Sequence, residues 1–434
     1  MMLWLAIGAA CVYLAGLFWL AAWRDRTQDS ATPGVLSRNS GLIYGLSLAV
    51  YCTSWTFFGG VGTAARSGLD YLPIYLGPIL VFTFGFGLVR RILAQSKSLH
   101  STSIADFLSA RYGKSARVAA LVTIIATIGS LPYMALQLQS VGASLVTISP
   151  DLAGKVATDE IVLIVAGLMA LFAILFGSRR ADQAGNNAGM VLTIAVESIV
   201  KLFALLAVAA LALIMLIDTD LTATASPQVF AGEQLDARFA ILTLIAACAA
   251  LCLPRQFHMS FVEAGTDKPG LLMQWVFPAY LLLTSIIIIP IVLAGVSTLP
   301  TGTNADMIVL VLPLATGNET LALLVFIGGF SASAGMIVVA SVALSTMITN
   351  DLIAPTLFRK ALSGVGDRSQ IAGQLLMVRR LVIGGLLLFA YLFYLGFGTL
   401  GSLAGLGILA FAAAAQFAPG LVLGMLSRTG NKSG

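Results

Sequence analysis

The chain is built from apolar runs of about 18 residues or more, separated by short polar connections. A helix rises about 1.5 Å per residue, so about 20 apolar residues cross the hydrocarbon core of a bilayer. The pattern therefore predicts an all-α polytopic membrane protein with about 11 transmembrane helices. The predicted spans cover residues 3–23, 40–63, 71–93, 115–147, 159–178, 188–217, 237–254, 271–297, 319–350, 377–397 and 403–426.

Composition excludes a single water-soluble core. Of the 434 residues, 59% are hydrophobic and 10% are charged, whereas soluble domains carry about 25% charged residues. The sequence contains no HExxH, GxSxG or GxxxxGK[ST] motif, so we expect no enzyme activity, cofactor or resident metal in this chain. Nothing in the sequence suggests nucleic-acid binding, and the expected surroundings are a lipid bilayer.

Basic residues predict the orientation. The connections after spans one, three, five, seven and nine, together with the C-terminal tail, carry 20 of the 24 Lys and Arg residues. The positive-inside rule then places the N-terminus outside and the C-terminus in the cytoplasm. We expect a multi-pass membrane protein in this orientation.

Two charges lie deep inside predicted span six. Glu197 and Lys201 are four residues apart, and an ionisable side chain in a membrane helix costs about 2.5 kcal/mol or more. The favoured interpretation is a functional role for the pair. The alternative is a structural pair in which the two charges neutralise each other at i, i+4 spacing.

Span two contains three Gly and several hydroxyl side chains between Tyr51 and Gly62. Such a segment predicts a broken helix that holds a substrate, as in many transporters, although close helix packing is the alternative. Pro254, five spans later, predicts a second interruption, and two breaks at matching positions favour an inverted repeat. Residues predicted to bind substrate by stacking or hydrogen bonding are Thr53, Ser54, Trp55, Thr56, Phe57, Phe58, Tyr133 and Gln137.

The chain resembles the sodium/solute symporter family from about Ser40 to Leu426. The resemblance is carried by GGVGTAARSG (59–68), STSIADFLSARYG (101–113), LPYMALQLQSVG (131–142), LPRQFHMSF (253–261) and SVALSTMITNDL (341–352). The segment YCTSWTFFGGVGTAARSGLDYLPIYLGP (51–78) is most similar to the transporter-like N-terminal region of bacterial sensor histidine kinases that control carbon and nitrogen use.

This resemblance implies the five-plus-five inverted-repeat fold of the amino-acid transporter superfamily, with one extra N-terminal helix. It divides the chain into an extra helix and cytoplasmic loop (1–39), a first repeat (40–217), an extracytoplasmic loop (218–236), a second repeat (237–426) and a cytoplasmic tail (427–434). It also implies a location in the bacterial inner membrane and a small polar solute, such as the amino acid histidine. In that branch, kinase domains follow in the same chain and signal to a response regulator, so truncation after residue 434 is expected.

The family's sodium ligands are missing here. Sodium-coupled members carry an Asp where this chain has Tyr51, and a Ser-Thr pair where it has Gly335 and Met336. A hard cation needs several oxygen ligands, so sodium coupling is in doubt. A degenerate cation site would involve Ala49, Tyr51, Cys52, Ser331, Ser333, Gly335 and Met336.

Proton-coupled relatives keep a lysine whose ammonium stands in for sodium, and Lys201 resembles that lysine. Glu197 lines up with an acidic residue that the family carries on this helix. The resemblance therefore favours the proton as coupling ion, with Glu197 and Lys201 as the proton-coupling pair. Arg255 and His258, after span seven, are assigned to gating or signalling, with a solvated loop as the alternative. The open alternatives for the whole chain are a receptor module that binds solute without transporting it, and a stand-alone sodium/solute symporter.

Overall fold

The computed structural model describes residues 2–28, 40–154, 156–177, 187–218, 230, 236–265, 271–357, 368–398 and 402–426. Within these ranges every regular element is a helix. The predicted tail (427–434) lies outside them, as do residues 29–39 of the first loop and most of the predicted loop 218–236.

The predicted number of spans is confirmed for the described residues. Eight helices are long and apolar enough to cross a membrane, and counting each of three bent helix pairs as one span gives up to 11. The continuous spans are Met2–Gln28 (span one), Ala116–Ile148 (four), Thr158–Gly177 (five), Ala188–Asp218 (six), Leu271–Thr298 (eight), Glu319–Met347 (nine), Arg368–Phe397 (ten) and Leu403–Ala415 with Ala418–Leu426 (eleven). The bent pairs are span two (Ser40–Tyr51 and Trp55–Tyr71), span three (Pro73–Thr83 and Phe86–Leu99) and span seven (Ala237–Cys252 and Pro254–Val262).

Span two is broken, as predicted. Its first half ends in a 3₁₀ turn, Leu48–Tyr51, after which Cys52 is extended (φ −77°, ψ 101°). The second half starts at Trp55 in a π-helical turn, and the two halves are bent by 73°. The unwound stretch is shorter than the glycine pattern suggests, because the glycines that follow are helical and serve close packing. A Cβ on Gly60, for example, would lie 2.7 Å from Tyr75 Oη.

Span seven is broken at the predicted proline. Leu253 is extended (φ −58°, ψ 129°), Pro254 begins the next short helix, and the two parts are bent by 52°. A proline forces the preceding residue out of helical geometry and removes one backbone donor, so the interruption follows directly from the sequence. The breaks in spans two and seven lie five spans apart, as the expected inverted repeat requires.

Span three differs from the prediction. Residues 71–93 were expected to form one continuous crossing, but the helix bends by 72° between Thr83 and Phe86 and then continues to Leu99. The second half carries Arg90, Arg91 and Lys97, and charges of this kind are costly in the hydrocarbon core. At the bend, a Cβ on Gly85 would lie 2.7 Å from the Val81 carbonyl oxygen, so glycine permits this close approach of the backbone.

Span nine lies at the centre of the bundle. Of an 18-residue apolar stretch of this span, 83% is buried inside the protein. The helix packs against spans four, five and six. The extra first helix packs on the outside of this core, against spans six and nine. Large apolar side chains on the outer helices, such as Trp19, Leu168 and Phe389, are exposed, as expected for a lipid-facing surface.

Candidate functional site

The break in span two is held by two side chains of span four. Thr53 Oγ1 lies 2.8 Å from Tyr133 Oη, and Gln137 Oε1 accepts hydrogen bonds from Ser54 Oγ at 2.7 Å and Ser54 N at 3.2 Å. Tyr133 and Gln137 are one turn apart, and Gln137 Nε2 donates to the Tyr133 carbonyl at 3.2 Å. Four residues predicted to bind substrate therefore share one hydrogen-bonded network, which satisfies backbone and side-chain groups exposed by the unwinding.

An aromatic cluster covers one side of this network. The ring of Trp55 lies 4.7 Å from that of Phe411 and 6.1 Å from that of Tyr133, centroid to centroid. Phe411, in span eleven, also contacts Tyr51 at 5.6 Å. Phe411 could not be predicted as a site residue, because its alanine-rich surroundings carry no local signal of a binding site.

The aromatic cluster closes the site on one side. A cavity of about 20 Å³ lies between Trp55, Phe411 and the segment that contains Asp70 and Tyr71. This volume holds about one water molecule. A solute that enters from this side therefore requires Trp55 and Phe411 to separate.

Three of the predicted substrate residues point elsewhere. Phe57 packs against Gly328 of span nine, where a Cβ would lie 3.0 Å from its ring. Phe58 packs against Gly329, where a Cβ would overlap its ring. Thr56 Oγ1 donates to the carbonyl of Thr53 in the unwound segment at 2.8 Å. These side chains are not brought together with Tyr133, and their role in substrate binding stays a prediction.

Lys201 reaches the other side of the break. Its ammonium donates to the carbonyl oxygens of Cys52 at 2.8 Å and Ala49 at 3.2 Å, and only 3% of the residue is exposed. Among the ion pairs between described residues, none joins Lys201 to Glu197. The two side chains therefore do not form the simple i, i+4 ion pair of the alternative interpretation. The ammonium instead binds carbonyls that the broken helix leaves free.

Glu197 lies against span nine. A Cβ built on Gly335 would overlap Glu197 Oε2, and this oxygen has no hydrogen-bond partner among the described residues. Near the carboxyl group, Ser331 Oγ lies 2.6 Å from Tyr13 Oη of span one, and Glu197 and Tyr13 interact electrostatically.

The other residues of the predicted degenerate cation site are dispersed. Ser333 Oγ lies 3.2 Å from Ser140 Oγ of span four, and Met336 is buried in the core. Tyr51 Oη donates to the Ile74 carbonyl at 2.7 Å. Of the predicted cation ligands, the structure therefore brings together the Ala49 and Cys52 carbonyls. Both accept hydrogen bonds from the Lys201 ammonium.

Residues 255–261, predicted to follow span seven, belong to its second half and are buried. Arg255 and His258 are 2% and 5% exposed, so the alternative of a solvated loop is wrong, while their gating or signalling role stays a prediction. His258 Nε2 lies 3.1 Å from Glu263 Oε1. Gln256 Nε2 donates to the Leu48 carbonyl at 3.1 Å, which links the two broken helices directly. No sequence pattern points to Glu263, whereas the sequence groups Gln256 with Arg255 and His258 as a gating or signalling contact.

The guanidinium of Arg255 joins the site at Tyr133. Its Cζ atom lies 4.2 Å from the centroid of the Tyr133 ring, a cation–π arrangement. The described site thus combines an unwound segment, an aromatic cluster, and two buried cations that approach the break from different spans.

Comparison with known proteins supports the fold. No protein-family model and no curated protein matches the chain. Among solved structures, the chain is similar to a Na⁺-coupled sialic acid symporter in a substrate-bound, outward-open state, with 15% identity over 96% of this chain and 87% of that chain (TM-score 0.65). A second similar structure is a manganese transporter of Eremococcus coleocola, with 14% identity over 91% of this chain and 81% of that chain (TM-score 0.52).

At these identities the comparisons establish the fold alone. The chain is an all-α, multi-pass membrane protein with the fold of membrane solute transporters.

Proposed function

We propose that this chain is a solute transporter of the solute/cation symporter type, and that the proton rather than sodium is its coupling ion. The solute is a small polar molecule, such as the amino acid histidine, bound between spans two, four, seven and nine. In this proposal the chain is the input region of a sensor histidine kinase. That part rests on the sequence resemblance, as do the downstream kinase domains and the response regulator.

The observation that carries the proton-coupling proposal is the contact of Lys201 with the Ala49 and Cys52 carbonyls. Two carbonyl oxygens at a helix break are good ligands for a small cation, and here an ammonium occupies them. A sodium ion about 4 Å from that charge would be repelled by roughly 4 kcal/mol at an effective dielectric of about 20. This corresponds to about a thousandfold loss of affinity.

Glu197 supplies a second titratable group beside the same site. Gly335 leaves room for its carboxyl group at the position where sodium-coupled relatives carry a hydroxyl ligand. Because Glu197 and Lys201 are buried one turn apart, we infer that they titrate as a unit. Loss of a proton from Lys201 would release the two carbonyls and allow the halves of span two to move.

A receptor that binds solute without transporting it is the second candidate. The packed Trp55–Phe411 contact and the resemblance to sensor proteins favour it. Uptake measurements separate the two candidates, because a pure receptor binds the solute but does not accumulate it.

The test is uptake of labelled histidine into proteoliposomes, with a proton gradient or a sodium gradient imposed alone. Wild-type protein should accumulate histidine with the proton gradient and ignore sodium, whereas Lys201→Met and Glu197→Gln should lose proton-driven uptake. Lys114→Met, which alters an exposed lysine, serves as the control and should retain uptake. Sodium-driven uptake without a pH gradient, or full proton-driven uptake by both variants, would overturn proton coupling.

A further inference from the structure

Arg255 is a buried cation for which the described protein supplies no anion. The residue is 2% exposed, and none of the ion pairs among the described residues includes it. Its Nε and Nη2 atoms are both buried without a hydrogen-bond partner there. Tyr133 stacks on one face of the guanidinium. Its ring cannot accept hydrogen bonds from the Nε–H and Nη2–H groups, which point outward in the guanidinium plane.

The two unpartnered groups have a specific geometry. Nε–H and one N–H of Nη2 point in parallel from the same edge of the planar guanidinium. The two oxygens of a carboxylate match this edge, and such side-on, bidentate pairs are among the strongest hydrogen-bonded ion pairs in proteins. Neither a hydroxyl nor an amide has two charged oxygens, so neither can pair with both donors as a carboxylate does.

The electrostatics of the site favour the same kind of ligand. Lys201 and Arg255 are close enough to repel each other, and the Lys201 ammonium already binds two carbonyls of span two. The stacking partner of Arg255, Tyr133, is hydrogen-bonded to Thr53 at the break. A monoanion on the free edge of Arg255 would offset the positive charge and lie beside the unwound segment.

We propose that Arg255 is the anchor for a carboxylate group of the solute, so that the site accepts amino acids or other organic acids and rejects their uncharged analogues. This inference rests on the proposed solute site between spans two, four, seven and nine, and it adds the substrate class and the residue that selects it. It also replaces a gating role for Arg255 with direct contact to the solute.

The test uses the full chain in lipid nanodiscs and matched pairs of probes. L-histidine, L-proline and acetate are each compared with their primary amides by binding titration and by the thermal midpoint of unfolding. A carboxylate should bind about tenfold to a hundredfold more tightly than its amide, the range for hydrogen bonds to a charged group. Arg255→Gln should abolish this preference, and Arg255→Lys should retain part of it, because an ammonium is a point charge without the fork.

The melting temperature without solute distinguishes a binding residue from a structural one. Removing a buried, unpaired cation relieves a desolvation penalty, so Arg255→Gln should melt at the wild-type temperature or above it. Arg66→Gln is the matched control, because Arg66 is paired with Asp306 at 2.7 Å. That variant should keep the carboxylate preference and melt no higher than wild type.

Two outcomes would overturn the anchor: no carboxylate preferred over its amide in wild-type protein, or a preference that survives in Arg255→Gln. A fall in melting temperature of Arg255→Gln with unchanged affinity would likewise assign Arg255 to structure. Proton coupling can be refuted independently of the anchor. Sodium-driven uptake that depends on Arg255 would refute proton coupling and still support Arg255 as the carboxylate anchor.

Discussion

The carboxyl group of Glu197 lies directly against the backbone of Gly335, in the space that any side chain at position 335 would fill. Both residues are in the buried core between spans six and nine. We therefore predict that Gly335→Ala displaces Glu197 and destabilises the protein, by about 1–3 kcal/mol for overpacking of this kind. The measurement is the thermal midpoint of the purified protein.

Gly385→Ala is the control for this substitution. Gly385 lies inside the helix of span ten, and an added Cβ would meet no other atom within 4 Å. Alanine also favours a helix over glycine, so this variant should melt at the wild-type temperature or slightly above it. Equal melting of both variants would show that Glu197 moves aside at little cost.

A second prediction concerns the clamp between Ser54 and Gln137. Both residues are fully buried, and Gln137 Oε1 accepts hydrogen bonds from the hydroxyl and the backbone N–H of Ser54. Gln137→Leu leaves two buried donors unpaired and should cost about 1–3 kcal/mol. The double variant Gln137→Leu/Ser54→Ala should lose less stability than the sum of the two single losses, because the Ser54 hydroxyl is then no longer present as an unpaired donor.

The control for the clamp is Gln139→Leu. Gln139, two residues further along span four, donates to the Gly398 carbonyl at 3.0 Å and makes no hydrogen bond with Ser54. Its effect on the melting temperature should therefore add to that of Ser54→Ala. Additivity of the Gln137 pair as well would contradict the hydrogen-bonded clamp.

A third prediction tests Trp55 as part of the solute site. The ring packs against Phe411 and Tyr133, so its removal opens the aromatic cover of the break. Trp55→Ala should weaken binding of labelled histidine by several-fold or more. Trp19→Ala, which removes a tryptophan that is 67% exposed on the outer surface of span one, should leave binding unchanged, and equal affinity of the two variants would place the site elsewhere.

The spans and the two main breaks could be predicted because their signals are local. A bilayer demands about 20 consecutive apolar residues, and Pro254 disrupts a helix wherever it falls in the interior. The bend at Gly85 was missed, because a single glycine in an apolar run is also common in continuous membrane helices.

The composition of the site was less predictable from the sequence. Phe411 meets Trp55 across more than 300 residues of chain, and Arg255 meets Tyr133 across more than 100. Such contacts depend on how the spans pack, and no periodicity in the sequence encodes them. Lys201 was identified as a candidate because a charge in an apolar helix is conspicuous by itself, but its carbonyl partners could be inferred only from the family resemblance.

A fourth prediction concerns orientation, which follows from the distribution of basic residues. Ser98 lies in the last turn of span three, near the basic residues Arg90, Arg91 and Lys97, and Thr301 lies in the connection after span eight. Both residues are exposed. With the four native cysteines replaced, Thr301→Cys should react with a membrane-impermeant maleimide in intact cells, and Ser98→Cys should react only after the membrane is permeabilised. Because the spans alternate, the reverse pattern would invert the whole chain and place its C-terminus outside, where cytoplasmic kinase domains could not follow it.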